Sequence, residues 1–299
     1  MKYQLLCGDA LSVLKTLDSE SVQCVVTSPP YFGLRDYGIV NQLGMENTVK
    51  EYVLKLVEIF TEAKRVLKCD GTIWINLGDS YSSGGNGGGS GKQRTNKGSL
   101  IGPKATPGYK IKNLIGVPWH VAFALQEDGW YLRSDIIWAK PNPMPESVTD
   151  RPTKSHEYIF LLSKSAKYYY DAKAIKEQAM PDTSIRDRDN TKLNNTPGRT
   201  KEGGLKTNGY ETRNKRDVWT VPTSPYPEAH FATYPPKLIE PCILAGSRPG
   251  DIVLDPFNGS GTTGQASLEN QRKYIGIELN PEYIKLSEKR LSVINVKLL

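Results

Sequence analysis

The chain has 299 residues, 38% hydrophobic and 24% charged, with a formal net charge of +7. A chain of this size buries a full core without metal or disulfide staples, and no apolar run of about 18 residues offers a membrane span. The basic excess points toward a polyanionic partner, while Cys7, Cys24, Cys69 and Cys242 form no C-x-x-C pair, which argues against zinc and predicts no metal site.

Three of these cysteines lie in apolar surroundings and read as small buried hydrophobes in a reducing compartment. The first residues, Met1 to Asp9, lack the apolar region and cleavage site of a signal peptide, so a cytoplasmic protein is expected. Tyr3–Cys7 reads as a short strand, and Ala10–Leu17 as a helix with Leu11, Leu14 and Leu17 on one face. Val22–Thr27 is a buried strand by composition, stopped by Ser28-Pro29-Pro30. Thr48 can cap a helix running to about Leu67, in which Tyr52, Leu56, Ile59, Phe60, Ala63 and Leu67 keep the helical period. Cys69-Asp70-Gly71 reads as a turn, and Thr72–Leu77 as the strand after it.

Residues 80–112 are rich in glycine and lysine and read as a mobile loop, either a connector or a lid that closes on a partner. The αβ pattern then resumes. Trp119–Glu127 is a helix and Trp130–Lys140 a strand-like run broken by Pro141, Pro143 and Pro145. Tyr158–Leu162 and Tyr168–Tyr170 could pair as a hairpin. Residues 172–217 are polar and basic, and after Val218-Trp219 the chain is α/β again to Leu299. No internal repeat of about 20 to 50 residues occurs.

Asp251 to Thr263 holds the strongest chemical signal. An apolar strand runs into Asp255, then Pro256-Phe257-Asn258-Gly259-Ser260-Gly261 turns into a helix at Thr262. A second strand, Tyr274 to Ile277, ends in Glu278. This is a βαβ half suited to a nucleoside at the C-terminal ends of its strands. Gly259 and Gly261 allow a tight turn and close approach, and Glu278 is placed to accept from two ribose hydroxyls. Asp255 carries a charge that suits a cationic ligand. The loop lacks G-x-G-x-x-G and a P-loop lysine, so it favours a phosphate-free, positively charged cofactor.

Thr27-Ser28-Pro29-Pro30-Tyr31 carries the second signal. It follows a buried strand and so sits where ligands bind in open α/β sheets. Two prolines stiffen the turn. Ser28 and the Pro29 carbonyl can both accept from an NH2 group, and Tyr31 offers a flat face for a flipped base. Such acceptors draw an exocyclic amine away from its delocalised planar form and stabilise the charge that develops on it.

Other residues read differently. Pro241-Cys242 has the form of a thiol nucleophile, but it lies in the apparent helix Leu238–Ala245, and Cys242 is expected to be a packing residue. His120, His156 and His230 have no metal-ligand spacing. Trp138 to Pro143 could line a base pocket or form a rigid surface turn, and Arg151 to Glu157 could touch nucleic acid or be an ordinary loop.

Together the two motifs resemble the DNA amino-methyltransferases, in which a [Ser/Asn/Asp]-Pro-Pro-aromatic turn works with a cofactor loop like Asp255 to Gly261. With the catalytic motif first, the order is similar to the β class. The resemblance implies an α/β fold: a circularly permuted class I methyltransferase (Rossmann-like) sheet with an inserted DNA-recognition region. It implies a catalytic part at 1–171, a target-recognition insertion at 172–217 and a cofactor-binding part at 218–299. It further implies S-adenosylmethionine as cofactor, bound by Asp9, Ala10, Phe231, Asp255, Pro256, Phe257, Gly259, Ser260, Gly261, Thr262, Glu278 and Leu279, with Ser28, Pro29, Pro30 and Tyr31 catalytic. Double-stranded DNA is the implied partner, contacted by Arg186, Arg188, Lys192, Arg199, Lys201, Arg213, Lys215 and Arg216. Ser at position 28 favours cytosine N4 over adenine N6. A monomer or homodimer is expected, with a separate restriction endonuclease as a partner in the cell. RNA and protein amides are the rival substrates, and a DNA-binding protein without activity is the rival class.

Overall fold

The computed structural model of the chain describes residues 2–33, 42–82, 106–179, 211–223 and 234–294. Its first elements are β1 (Tyr3–Cys7), α1 (Ala10–Leu14), β2 (Val22–Thr27), α2 (Val49–Val66) and β3 (Leu67–Leu77). Next come α3 (Val117–Glu127), β4 (Tyr131–Ala139), β5 (His156–Ser163), β6 (Glu177–Gln178), β7 (Thr212–Arg213) and β8 (Val218–Thr220). The C-terminal group is α4 (Pro236–Gly246), β9 (Ile252–Asp255), α5 (Thr262–Glu269), β10 (Lys273–Glu278) and α6 (Pro281–Ser292).

All six residues of β2 are buried. A strand apolar on both faces belongs inside a sheet covered on each side. β2 accordingly sits mid-sheet in the order β1-β10-β9-β2-β3-β5-β4-β8. It runs parallel to both β9 and β3, and β5 is antiparallel to both its neighbours. From β9 the chain moves outward through α5 to β10. From β2 it moves the other way through α2 to β3. The gap between β2 and β9 is therefore a topological switch point, where an open α/β sheet forms its ligand crevice. Helices α1, α2 and α3 pack one core cluster, and α4, α5 and α6 contribute to another.

Local sequence explains the helices. Thr48 caps α2 by accepting from the Glu51 amide, and Lys64 and Arg65 sit in its last turn, where cations suit the helix dipole. α3 has no side-chain cap of its own. The Asp79 carboxylate, just past β3, accepts from the Gly116 and Val117 amides instead.

Four expectations need correcting. α1 ends at Leu14, not Leu17. The Arg65 guanidinium takes the Leu14 and Leu17 carbonyls at 2.9 and 3.0 Å, so the chain ends in turns with its carbonyls satisfied. Cys69-Asp70-Gly71 does not separate two elements but lies within β3, whose pairing to β2 jumps from Val22–Leu67 to Cys24–Thr72. Gly71 permits this irregularity, since a Cβ there would meet the Leu67 side chain at 2.9 Å and two backbone oxygens at 3.0 Å. Tyr168–Tyr170 forms no hairpin with β5, because both edges of β5 are taken by β3 and β4. Tyr170 stacks on Trp74 instead. Two cysteines are buried rather than three: Cys24 and Cys242 are enclosed, whereas Cys7 and Cys69 are exposed.

Among the described residues no helix is long and apolar enough to cross a membrane. A two-stranded ladder, β6 with β7, joins the described ends of the 172–217 segment.

Candidate active site

The loop after β9 needs its glycines. Gly259 and Gly261 have φ of 52° and 80°, a region that favours glycine. A Cβ on Gly259 would meet nothing closer than 4.0 Å, so open space lies above it. Asn258 pins the loop from behind, accepting from the Tyr274 hydroxyl at 2.8 Å and donating to Ser287 at 2.7 Å. Glu278, at the end of β10, accepts from the Gly259 amide through one oxygen and from the Asn280 amide through the other, each at 2.8 Å. Burial pushes the Glu278 carboxyl above the usual range.

β1 pairs with β10 so that Cys7 faces Glu278. This brings Asp9 and Ala10 to the same end of the sheet as Glu278. Asp9 is exposed and caps α1 by accepting from Ser12. Ser260 and Thr262 are buried and hydrogen-bonded by Arg290. Pro256 is buried, Leu279 is half-buried, and Phe257 packs edge-on against Phe60. Phe231 lies outside the described residues.

Asp255 is enclosed rather than open to a ligand, with 1% exposure. One oxygen accepts from the Thr27 hydroxyl at 2.6 Å and the Phe257 amide at 3.0 Å. The other accepts from the Thr263 hydroxyl at 2.6 Å, with the Tyr234 hydroxyl at 3.3 Å. Burial raises its pKa, and the donors oppose that shift.

On the far side of the crevice, Ser28, Pro29, Pro30 and Tyr31 leave β2. The Tyr52 hydroxyl donates to the Pro30 carbonyl at 2.8 Å and pins the turn to α2. The Tyr31 hydroxyl points at Glu157 Oε2 at 2.7 Å and Asn76 Oδ1 at 3.1 Å. One flank of its ring lies on Gly78, where a Cβ would come within 2.6 Å of Cε2. Burial and the Glu157 charge hold the phenol well above its ordinary pKa, so it remains a neutral donor. The other Glu157 oxygen is ion-paired to Lys140.

Lys140 and Glu157 also line a cleft of about 190 Å³ with Pro143, Met144, Pro145, Glu146, Lys154 and His156. The Trp138–Pro143 and Arg151–Glu157 segments therefore meet at one cleft beside the Tyr31 hydrogen bond. Sequence reasoning placed Thr27 only at the head of the Ser28 turn and Glu157 only at the end of a segment that could touch nucleic acid, and it did not single out Asn76. For Thr27 and Asn76 a signal existed: each is a polar residue in or directly after a short apolar run, Cys24–Val26 and Ile73–Leu77, and such residues need partners once buried.

Arg213 and Arg216 both donate to Glu177 Oε1, and Lys215 lies 5.0 Å from the centre of the Trp219 ring. Arg186, Arg188, Lys192, Arg199 and Lys201 lie outside the described residues, as does His230. His120 bonds the Tyr109 hydroxyl, and His156 packs on Tyr158. Cys242 is enclosed in α4 with its thiol pKa pushed up by burial, the state of a packing residue rather than a nucleophile.

A DNA methylase family model matches residues 22–289. The chain is 53% identical over 285 residues to the type II methyltransferase M.Cfr9I of Citrobacter freundii, covering 95% of this chain and 86% of that one. It is 50% identical over 290 residues to the type II methyltransferase M.SmaI of Serratia marcescens, covering 96% and 90%. Among solved structures it resembles the PvuII DNA methyltransferase (cytosine-N4-specific), with a TM-score of 0.67 at 20% identity over 100% of this chain and 89% of that one. It also resembles TTHA0409 of Thermus thermophilus, solved with S-adenosyl-L-methionine, with a TM-score of 0.60 at 24% identity over 97% and 93%.

Proposed function

The chain belongs to the DNA methylase family, and from that premise we propose that it methylates the exocyclic N4 of cytosine in a specific duplex sequence. Its fold is that of the class I methyltransferases, and its methyl donor is S-adenosylmethionine. That cofactor supplies an electrophilic methyl group on a positively charged sulfur. The residues present fit it. Asp9 and Glu278 offer carboxylate acceptors at one end of β1 and β10, with open space over Gly259. Arg290 is turned to Ser260 and Thr262. We assign the adenosine to Asp9, Ala10, Glu278 and Leu279, and the methionine end to the loop from Pro256 to Thr262 with Phe231, the enclosed Asp255 bracing that loop from beneath.

The observation that carries the base assignment is Ser rather than Asp at position 28, in a turn held through Pro30 and Tyr31. An aromatic amine is a poor nucleophile because its lone pair is shared with the ring. Ser28 Oγ and the Pro29 carbonyl accept its two hydrogens and favour the pyramidal nitrogen that attacks in line. Tyr31, held by its hydroxyl, presents its ring in one orientation to a base flipped out of the duplex. Residues 172–217 read the target, with Arg186, Arg188, Lys192, Arg199, Lys201, Arg213, Lys215 and Arg216 on phosphates and base edges. In line with the type II relatives, a restriction endonuclease of the same specificity is its partner in the cell.

The test is mass spectrometry of nucleosides from diverse unmethylated DNA treated with the protein and S-adenosylmethionine. N4-methylcytosine is expected. N6-methyladenine would overturn the base assignment while leaving cofactor and fold in place.

A further inference from the structure

Backbone pairing between β2 and β9 consists of Cys24–Val253 and Val25–Leu254 and stops there. Just past that point β2 ends at Thr27 and β9 at Asp255, where the catalytic turn and the cofactor loop begin. One side-chain bond continues the contact, from Thr27 Oγ1 to Asp255 Oδ1 at 2.6 Å, with both residues 1% exposed. Thr27 is the residue before Ser28. Asp255 Oδ1 also takes the Phe257 amide of the cofactor loop.

The other carboxylate oxygen is tied to the first turn of α5 and to the segment that leads into α4. Thr263 and Tyr234 each have one proton, and their oxygens are 2.5 Å apart. The arrangement that satisfies all three groups runs Tyr234 O–H to Thr263, then Thr263 O–H to Asp255 Oδ2. A single buried carboxylate thus joins the catalytic strand, the cofactor loop, the first turn of α5 and the approach to α4.

We infer that Thr27 is a positioning residue that sets Ser28 against the cofactor loop through Asp255. It touches neither substrate nor cofactor in this role. Its hydroxyl fixes the spacing of the two walls where the sheet no longer does. The inference rests on reading the Ser28 turn as the methyl-acceptor site, but not on which base is methylated.

The test compares Thr27→Val, which keeps the shape and removes the donor, with Thr27→Ser, which keeps the donor. Transfer of tritiated methyl groups to unmethylated DNA is followed in a single turnover at saturating S-adenosylmethionine. Cofactor affinity is measured separately by calorimetry without DNA. Thr27→Val is expected to slow transfer about 10- to 100-fold, the worth of a hydrogen bond to a charged group, and to weaken cofactor binding several-fold. Thr27→Ser should recover both. Wild-type transfer in folded Thr27→Val, loss of only one of the two properties, or a Thr27→Ser protein as impaired as Thr27→Val would overturn it. Ser28→Ala, assayed alongside, tests the acceptor-site reading by itself: wild-type transfer there would remove that reading whatever the Thr27 variants do.

Discussion

At the scale of single residues, carboxylates decide how the site behaves with pH. Glu278 accepts two backbone amides as an anion, yet burial raises its pKa. A raised acid protonates early as pH falls, and the protonated form loses the acceptor capacity that the proposed ribose contact requires. Cofactor affinity should therefore fall with acid at a midpoint above the ordinary glutamate value of about 4.3, and Glu278→Gln should bind weakly with that dependence flattened. Calorimetric titration across pH checks this, and a midpoint at or below the ordinary value would contradict it. Asp255 is shifted in the same direction by burial, so the Glu278→Gln comparison separates the two. Glu278 and Ser28 were legible as candidates because one ends an apolar strand and the other directly follows one. The partner of Tyr31 was not. Glu157 is 126 residues from Tyr31 in the chain, and only the β3–β5 pairing brings them together. Asp255 was legible as an acid at a strand end, but its enclosure by Thr27 and Thr263 depends on two strands meeting across 228 residues.

At the scale of elements, the strands and helices of both motifs followed from hydrophobic patterning, and the misreadings share a cause. Gly71 looks like a turn former, but here it allows β3 to bulge past β2. Tyr168–Tyr170 has strand composition but no free edge of β5 to join. Neither outcome is visible without the neighbouring strand. The same closeness makes Gly276 of β10 a sensitive position. A Cβ there would sit 2.5 Å from Asn258 Oδ1, which holds the cofactor loop from behind. Gly276→Ala should cost about 1–3 kcal/mol through overpacking and weaken cofactor binding. Thermal unfolding with cofactor titration reads both, and an unchanged melting temperature would contradict this packing argument.

For the whole molecule, chain order and spatial order differ. The C-terminal β9 and β10 sit between the N-terminal β1 and β2, so the last part of the chain completes a crevice whose other wall is built first. The motif order in the sequence announced that arrangement. The strand order needed the coordinates, since β8, which directly precedes the C-terminal group, pairs with β4 at the far edge. The basic 172–217 segment was legible by composition. Its described ends are drawn together at Glu177, with Arg213 and Arg216 on one carboxylate oxygen. The proposed function divides one crevice into an acceptor wall at Ser28 and a cofactor wall at Glu278. The most direct measurement is Ser28→Ala, with cofactor affinity and single-turnover methyl transfer to DNA read on the same preparation. Unchanged cofactor affinity with transfer slowed about 100-fold is the predicted result. Transfer at the wild-type rate would contradict the account.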